Sequence, residues 1–201
     1  MPNTVPKLLI GTNNVGKIKE LRVLLSVIPY VVTDPIVENI LLEVDESGNN
    51  LTDNAVIKAV AFASTSGLLA ISDDSGLEVD CLNGAPGHLS ARYAGPNASD
   101  ADKVNYLLGK LEGVEWPMRT ARFRSVIALA EPQGSFRVFE GQCEGMIALE
   151  PGGYGGFGYD PIFYVSALGK LMSELTIDEK NMISHRGNAV RKAIEYLSYQ
   201  Q

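Results

Sequence analysis

The chain has 201 residues, 45% of them hydrophobic and 20% charged, which is enough apolar sequence for one compact domain, so residues 1–201 are read as a single domain. A net charge of -7 and a pI near 4.9 argue against a broad basic face gripping DNA or RNA, although a few local Lys and Arg groups suffice for one small anionic ligand. Cys81 and Cys143 lie in no zinc or redox spacing, the start carries no signal-like segment, and no run reaches about 18 apolar residues, so a reducing cytoplasm is expected and a membrane is not.

In chain order, Lys7 to Gly11 is a short apolar strand candidate, and Val15 to Ile28 carries Ile18, Leu21, Leu24, Leu25 and Ile28 at helical spacing. Thr52 is placed to cap a second helix from Asp53 to about Ser66, with Gly67 as its stop. A strand from Leu68 to Ser72 is expected to end at Asp73-Asp74. Ser99 and Asp102 read as a capping pair that opens a third helix reaching about Leu111. Ala121 to Ala130 and Phe136 to Leu149 read as long strands paired through the turn at Pro132-Gln133-Gly134. The Gly-rich stretch Pro151 to Gly158 reads as a loop. Thr176 and Glu179 form a capping box, and Ser184 caps a last helix through Val190, Ala193, Ile194 and Leu197. Early alternation of strand and helix followed by long strands predicts an α/β fold with a mixed sheet.

Gly11-Thr12-Asn13-Asn14-Val15-Gly16-Lys17 follows a strand and opens a helix, a context in which free N–H groups and the helix dipole bind phosphate. The spacing satisfies G-x-x-x-x-G-K, but Ile18 stands where a P-loop needs a hydroxyl for magnesium. Metal binding then falls to carboxylates, with Glu46, Asp73 and Asp74 as candidates, because magnesium takes hard oxygen ligands. Adjacent strand residues point to opposite faces, so at most one of Asp73 and Asp74 aims at a ligand; spacing does not say which. Lys58 lies in an Ala-rich helix whose composition suggests close packing. Gly152 to Asp160 combines backbone freedom with the aromatic residues Tyr154, Phe157 and Tyr159, suited to stacking a planar ring. Ser184-His185-Arg186, at a helix start, offers donors to an oxo-purine edge or to phosphate.

Taken in order, TNNVGK, SDDSG, GAPGHLSARYAG, GGFGYDPIF and SHRGNAVRKA resemble the inosine/xanthosine triphosphate pyrophosphatase family, from about Leu8 to Ile194. The resemblance implies an elongated α/β fold, with a central mixed β-sheet flanked by helices and two lobes around a substrate cleft. It further implies a homodimer that needs magnesium, one or more ions per subunit, and acts on purine nucleoside triphosphates. Carried over by motif, Thr12, Asn13, Asn14, Val15, Gly16 and Lys17 would hold the triphosphate. Asp74 would be base and metal ligand, Ser75 would touch substrate, Glu46 would be the second metal carboxylate, and Lys58 would face the phosphates. Phe157, Gly158, Tyr159 and Asp160, with Lys180, Ser184, His185 and Arg186, would form the base pocket. Two positions depart from the family pattern: Gly-His-Leu-Ser stands where a bulkier or aromatic residue often sits near Leu89, and Tyr154 occupies a variable loop position.

The expected reaction is hydrolysis of ITP, dITP or XTP to the monophosphate and pyrophosphate by metal-assisted water attack on the α-phosphorus, with Asp74, Lys17 and Lys58 as catalytic groups. Two rivals differ in what they produce. A P-loop-like ATPase or kinase would release a diphosphate, and a non-catalytic nucleotide sensor would release no product.

Overall fold

A computed structural model describes residues 5–199. Strand β1 (Lys7–Ile10) buries its last three residues and leads into helix α1 (Val15–Leu24), whose N-cap Asn14 accepts a hydrogen bond from the Lys17 amide. The spacing predicts this helix to Ile28. The α-helix stops at Leu24, tightens through a short 3-10 turn at Leu25–Val27, and leaves Ile28 extended, because the residue before Pro29 is pushed out of the helical region. Strand β2 (Val31–Thr33) and an irregular segment lead to helix α2 (Leu51–Ser66). Its cap is Asn50 rather than Thr52, since the Asn50 side chain reaches the Asp53 amide and Thr52 already lies inside the first turn. Gly67 ends the helix at φ 69°, as expected of a left-handed stop.

Strand β3 is the largest departure from expectation. It runs from Leu69 to Val79, straight through Asp73-Asp74, its expected end, and on past Ser75-Gly76. Gly76 is there because the Gly87 carbonyl of strand β4 (Pro86–Gly87) packs where a Cβ would stand. The ladder to strand β5 (Thr120–Ala130) is unbroken, pairing Asp73 with Ile127 and Asp74 with Val126. Strand β6 (Phe136–Ile147) forms the expected hairpin with β5. Helix α3 (Asp100–Lys110) opens on the Ser99–Asp102 capping box. Strands β7 (Phe163–Val165) and β8 (Lys170–Leu171) extend the sheet, and helices α4 (Ile177–Ile183) and α5 (His185–Ser198) start at Thr176 and Ser184 as predicted.

The sheet is mixed, in the order β2-β1-β3-β5-β6-β7-β8 with β4 on β3. β1 pairs in parallel with β2 and β3, and the later pairs are antiparallel. Three apolar clusters hold it together. Two lie on opposite faces at one end, under α1 with α5 (Leu21, Val190, Ala193) and under α2 (Ala55, Ala59, Phe62). The third (Leu77, Val104, Leu107, Phe123, Phe163) packs α3, β7 and the far ends of β3, β5 and β6. The cores thus divide into two lobes along shared strands. Helix termini from both lobes meet over the middle of β3, immediately beyond the carboxyl end of β1, where open α/β sheets place ligands. Among the described residues no helix is long and apolar enough to cross a membrane.

Candidate active site

A cleft of about 440 Å³ opens over this point. One wall is the β1–α1 turn with Thr12, Asn14, Val15, Gly16 and Lys17; another carries Glu46, Lys58, Asp74 and Ser75; a third carries Phe157, Gly158, Tyr159, Asp160, Lys180, His185 and Arg186. Two of the residues carried over by motif do not line it. Asn13 is exposed and donates to the Leu42 carbonyl, and Ser184 is fully buried with its hydroxyl accepting the Gly187 amide as helix cap. Backbone direction turns Asn13 outward, and capping occupies Ser184.

The alternation of β3 separates the two aspartates by role. Asp74 faces the cleft, where Lys58 Nζ stands 2.7 Å from its Oδ1 and 2.5 Å from Glu46 Oε1. Asn54 Nδ2 donates to Asp74 at 3.4 Å while Asn54 Oδ1 accepts the Gly48 amide, so one α2 side chain ties the Glu46 segment to the strand. Burial raises the Asp74 pKa against the opposing pull of Lys58 and Lys17. Lys58 is also buried, yet Asp74 and Glu46 outweigh that desolvation and hold it above its ordinary value, fully charged. Two carboxylates converging on one cation form a hard-oxygen donor set. Magnesium commonly takes only one or two protein carboxylates and fills the rest of its shell with phosphate oxygens and water. That fits a site in which, among the described residues, no group of three acidic, His or Cys side chains converges.

Asp73 is completely buried on the other face and gathers Lys17 Nζ at 2.8 Å, Arg186 Nη2 at 3.0 Å and the Ser125 hydroxyl at 2.5 Å. Burial alone would raise its pKa, but Arg186, Lys17 and these hydrogen bonds hold the carboxyl well below the usual range. Arg186 also pairs with Glu20 of α1, and Glu20 pairs with Lys180 at 2.7 Å, which reaches Asp160 Oδ2 at 2.5 Å. A continuous buried chain of alternating charge therefore joins the phosphate-type turn at Lys17 to the aromatic loop. Lys17 is itself pulled below its ordinary pKa, mainly by burial, with Asp73 opposing.

At the aromatic end, the Phe157 ring lies under Lys180 Nζ at 4.7 Å and the Arg186 guanidinium at 5.6 Å, and Gly16 packs against its edge. His185 stacks on Phe123 with ring centroids 4.7 Å apart. Burial and the neighbouring Arg186 push its pKa well below the ordinary value, so it is neutral at physiological pH. Sequence reading missed Glu20, Asn54, Phe123 and the wall formed by His88, Ser90, Asp100 and Lys103. His88 and Ser90 lie within the GAPGHLSARYAG motif, but nothing in the local sequence marks Glu20, Asn54, Phe123, Asp100 or Lys103, although two cations as close as Lys180 and Arg186 demanded acids from elsewhere in the chain.

A profile of the Ham1 family matches residues 8–196. The chain belongs to the Ham1 family. It is 52% identical over 192 residues to the dITP/XTP pyrophosphatase of Desulforamulus reducens, covering 96% of each chain. It is 44% identical over 189 residues to the Bacillus subtilis protein of that name, covering 94% of this chain and 96% of that one. Among solved structures, the Staphylococcus aureus Ham1 protein superposes with a TM-score of 0.85 at 40% identity, over 97% of this chain and all of that one. A Ham1 protein from Coxiella burnetii gives 0.86 at 39% identity, over 96% of this chain and 99% of that one. The α/β architecture with a central mixed sheet is thus the Ham1 fold.

Proposed function

We propose that this Ham1 protein hydrolyses dITP, ITP and XTP to the nucleoside monophosphate and pyrophosphate. The single observation that carries the reading is one cleft with a cationic, carboxylate-bearing end and an aromatic, donor-rich end, joined by the buried ion chain. The names of its relatives supply the substrate class.

The free amides of the β1–α1 turn and the Lys17 and Lys58 ammonium groups receive the phosphates. Glu46 and Asp74 would hold magnesium, which supplies positive charge against the phosphate oxygens. Asp74, a stronger base than an ordinary carboxylate because it is buried, accepts a proton from the attacking water. The water oxygen bonds to the α-phosphorus, the bond to the bridging oxygen breaks, and pyrophosphate leaves as Lys17 and Lys58 offset its growing charge. Phe157 stacks the base, while the charged Lys180 and Arg186 direct donors toward an O6 acceptor and oppose the 6-amino group of adenine. Work as a homodimer belongs to the same reading, supported by the resemblance, as does a cytoplasmic location, supported by the cysteine usage, and light scattering tests the dimer.

Incubation with magnesium and each of ITP, XTP, dITP, ATP and GTP, followed by chromatography, tests the proposal. Monophosphate and pyrophosphate from the oxo-purines, with ATP and GTP largely spared, are expected. Diphosphate plus phosphate would instead point to the ATPase alternative, and retention without product to a sensor.

A further inference from the structure

The aromatic loop is tethered from outside the base-binding set. Phe157 and Gly158 present consecutive backbone N–H groups, and each is held by a different carboxylate. The Phe157 amide donates to Asp160 Oδ2 at 2.9 Å, within the loop's own turn. The Gly158 amide donates at 2.7 Å to Asp100 Oδ2, which lies 58 residues away in the first turn of α3. Gly158 sits at φ 62°, a conformation with little intrinsic hold on it, and a Cβ there would meet nothing within 4 Å. No side chain packs at this position, so the hydrogen bond to Asp100 is its tie to α3.

Asp100 is in turn aligned by Lys103, one helical turn on, with Nζ 2.6 Å from its Oδ1 and the lysine side chain only 14% exposed. The two carboxylate oxygens thus divide their work, one on Lys103 and one on the loop. α3 is anchored in the third core cluster through Val104, Leu107 and Leu111, so the tether connects the loop to a rigid element. Tyr159 adds a second tie through its hydroxyl to the Ser90 carbonyl at 3.0 Å, but that bond lies on the far side of Gly158 from Phe157.

We infer that Asp100 is a positioning residue: from the cleft wall, with one carboxylate oxygen engaged by Lys103 and the other by the Gly158 amide, it sets the plane of the Phe157 ring and so governs base affinity and base selectivity. This rests on the proposed base-binding role of Phe157. A charge-assisted hydrogen bond to a backbone amide is directional, and a platform displaced by about 1 Å loses stacking and the alignment of the base with Lys180 and Arg186. The phosphate end is untouched, so the effect belongs in KM rather than kcat.

Asp100→Ala and Asp100→Asn separate this role from a structural one, because the Asn side chain keeps an acceptor oxygen and Ala does not. Steady-state kinetics on ITP and ATP, thermal melting and hydrogen exchange of the peptide covering residues 152–160 are measured on the full chain. Asp100→Ala is expected to raise KM for ITP about tenfold with kcat within about twofold, to narrow the ITP-over-ATP preference by about the same factor, and to speed exchange in that peptide. Asp100→Asn should recover most of each change. Unchanged KM, selectivity and exchange in Asp100→Ala would overturn the inference, as would a fall in kcat on every nucleotide that tracks a lower melting temperature. If Asp100→Ala does not fold, Asp100→Asn decides through exchange: a loop as protected as in the wild type supports the tether, and a loosened loop refutes acceptor geometry as its basis. An inactive wild type would refute the pyrophosphatase reading, whereas an active wild type beside an unaltered Asp100→Ala would refute only this inference.

Discussion

Asp74→Asn should separate activity from stability. The Glu46, Asp74 and Lys58 cluster places two carboxylates around one ammonium, a net charge of -1 by that count, and removing the Asp74 charge brings it to zero. Lys58 keeps its 2.5 Å contact with Glu46, so the substitution strands no buried cation. Because burial raises the Asp74 pKa, ionisation costs more in the folded than in the unfolded chain. The sign follows: Asp74 subtracts stability above its folded pKa, and a neutral amide in its place removes that penalty. The lost hydrogen-bond strength to Lys58 works the other way, leaving a net change within about 1 kcal/mol, or about 2–4 °C in Tm for a chain of this size. Turnover should fall by about 10²–10⁴, the usual worth of a general base, which is about 2.7–5.5 kcal/mol of barrier. Initial rates of pyrophosphate release from ITP and a melting curve on the same preparation measure both. A rate within about tenfold of wild type would refute the assignment. A Tm lowered by about 10 °C or more, on the order of 3 kcal/mol, would show that the carboxylate is chiefly a structural partner of Lys58.

Arg186→Met should cost about 3 kcal/mol in urea unfolding, the lower end for breaking a buried pair, because Asp73 keeps Lys17 and Ser125 and Glu20 keeps Lys180; a loss under about 1 kcal/mol would show the ion chain to be dispensable. His185 has a folded pKa well below its unfolded one, so the unfolded chain takes up the extra proton and stability falls as pH drops below about 6.5, by up to about 1.4 kcal/mol per unit. His185→Gln should flatten the dependence of urea midpoints on pH from about 7.5 down to about 5.5, and an unchanged slope would place the pH dependence elsewhere. Gly16→Ala puts a Cβ 2.8 Å from the Phe157 ring, so KM for ITP should rise about fivefold while Tm holds, Ala being the better helix former. A wild-type KM would mean the ring is not the base platform.

Much of this was legible locally. The strand–turn–helix around Lys17, the capping boxes at Ser99 and Thr176, and the opposite orientation of Asp73 and Asp74 follow from patterns a few residues long. The strand expected to end at Asp73-Asp74 runs on to Val79, because Gly76 answers to a tertiary contact with Gly87 and does not break it. Glu20 sits among ordinary helical neighbours, and only the arrival of Arg186, 166 residues on, gives it meaning. Asn54 and Asp100 are similar: each hydrogen-bonds a partner that the fold, not the local chain, brings near. Burial decides the state of His185 and Asp74, and burial is a property of the assembled lobes.

The site of bond cleavage tests the central claim most directly. Hydrolysis of ITP in ¹⁸O-labelled water, followed by mass spectrometry of both products, reads which phosphorus is attacked. One ¹⁸O in inosine monophosphate and none in pyrophosphate is the predicted result, since water adds to the α-phosphorus. Label in pyrophosphate with an unlabelled monophosphate would place the attack on the β-phosphorus and contradict the mechanism.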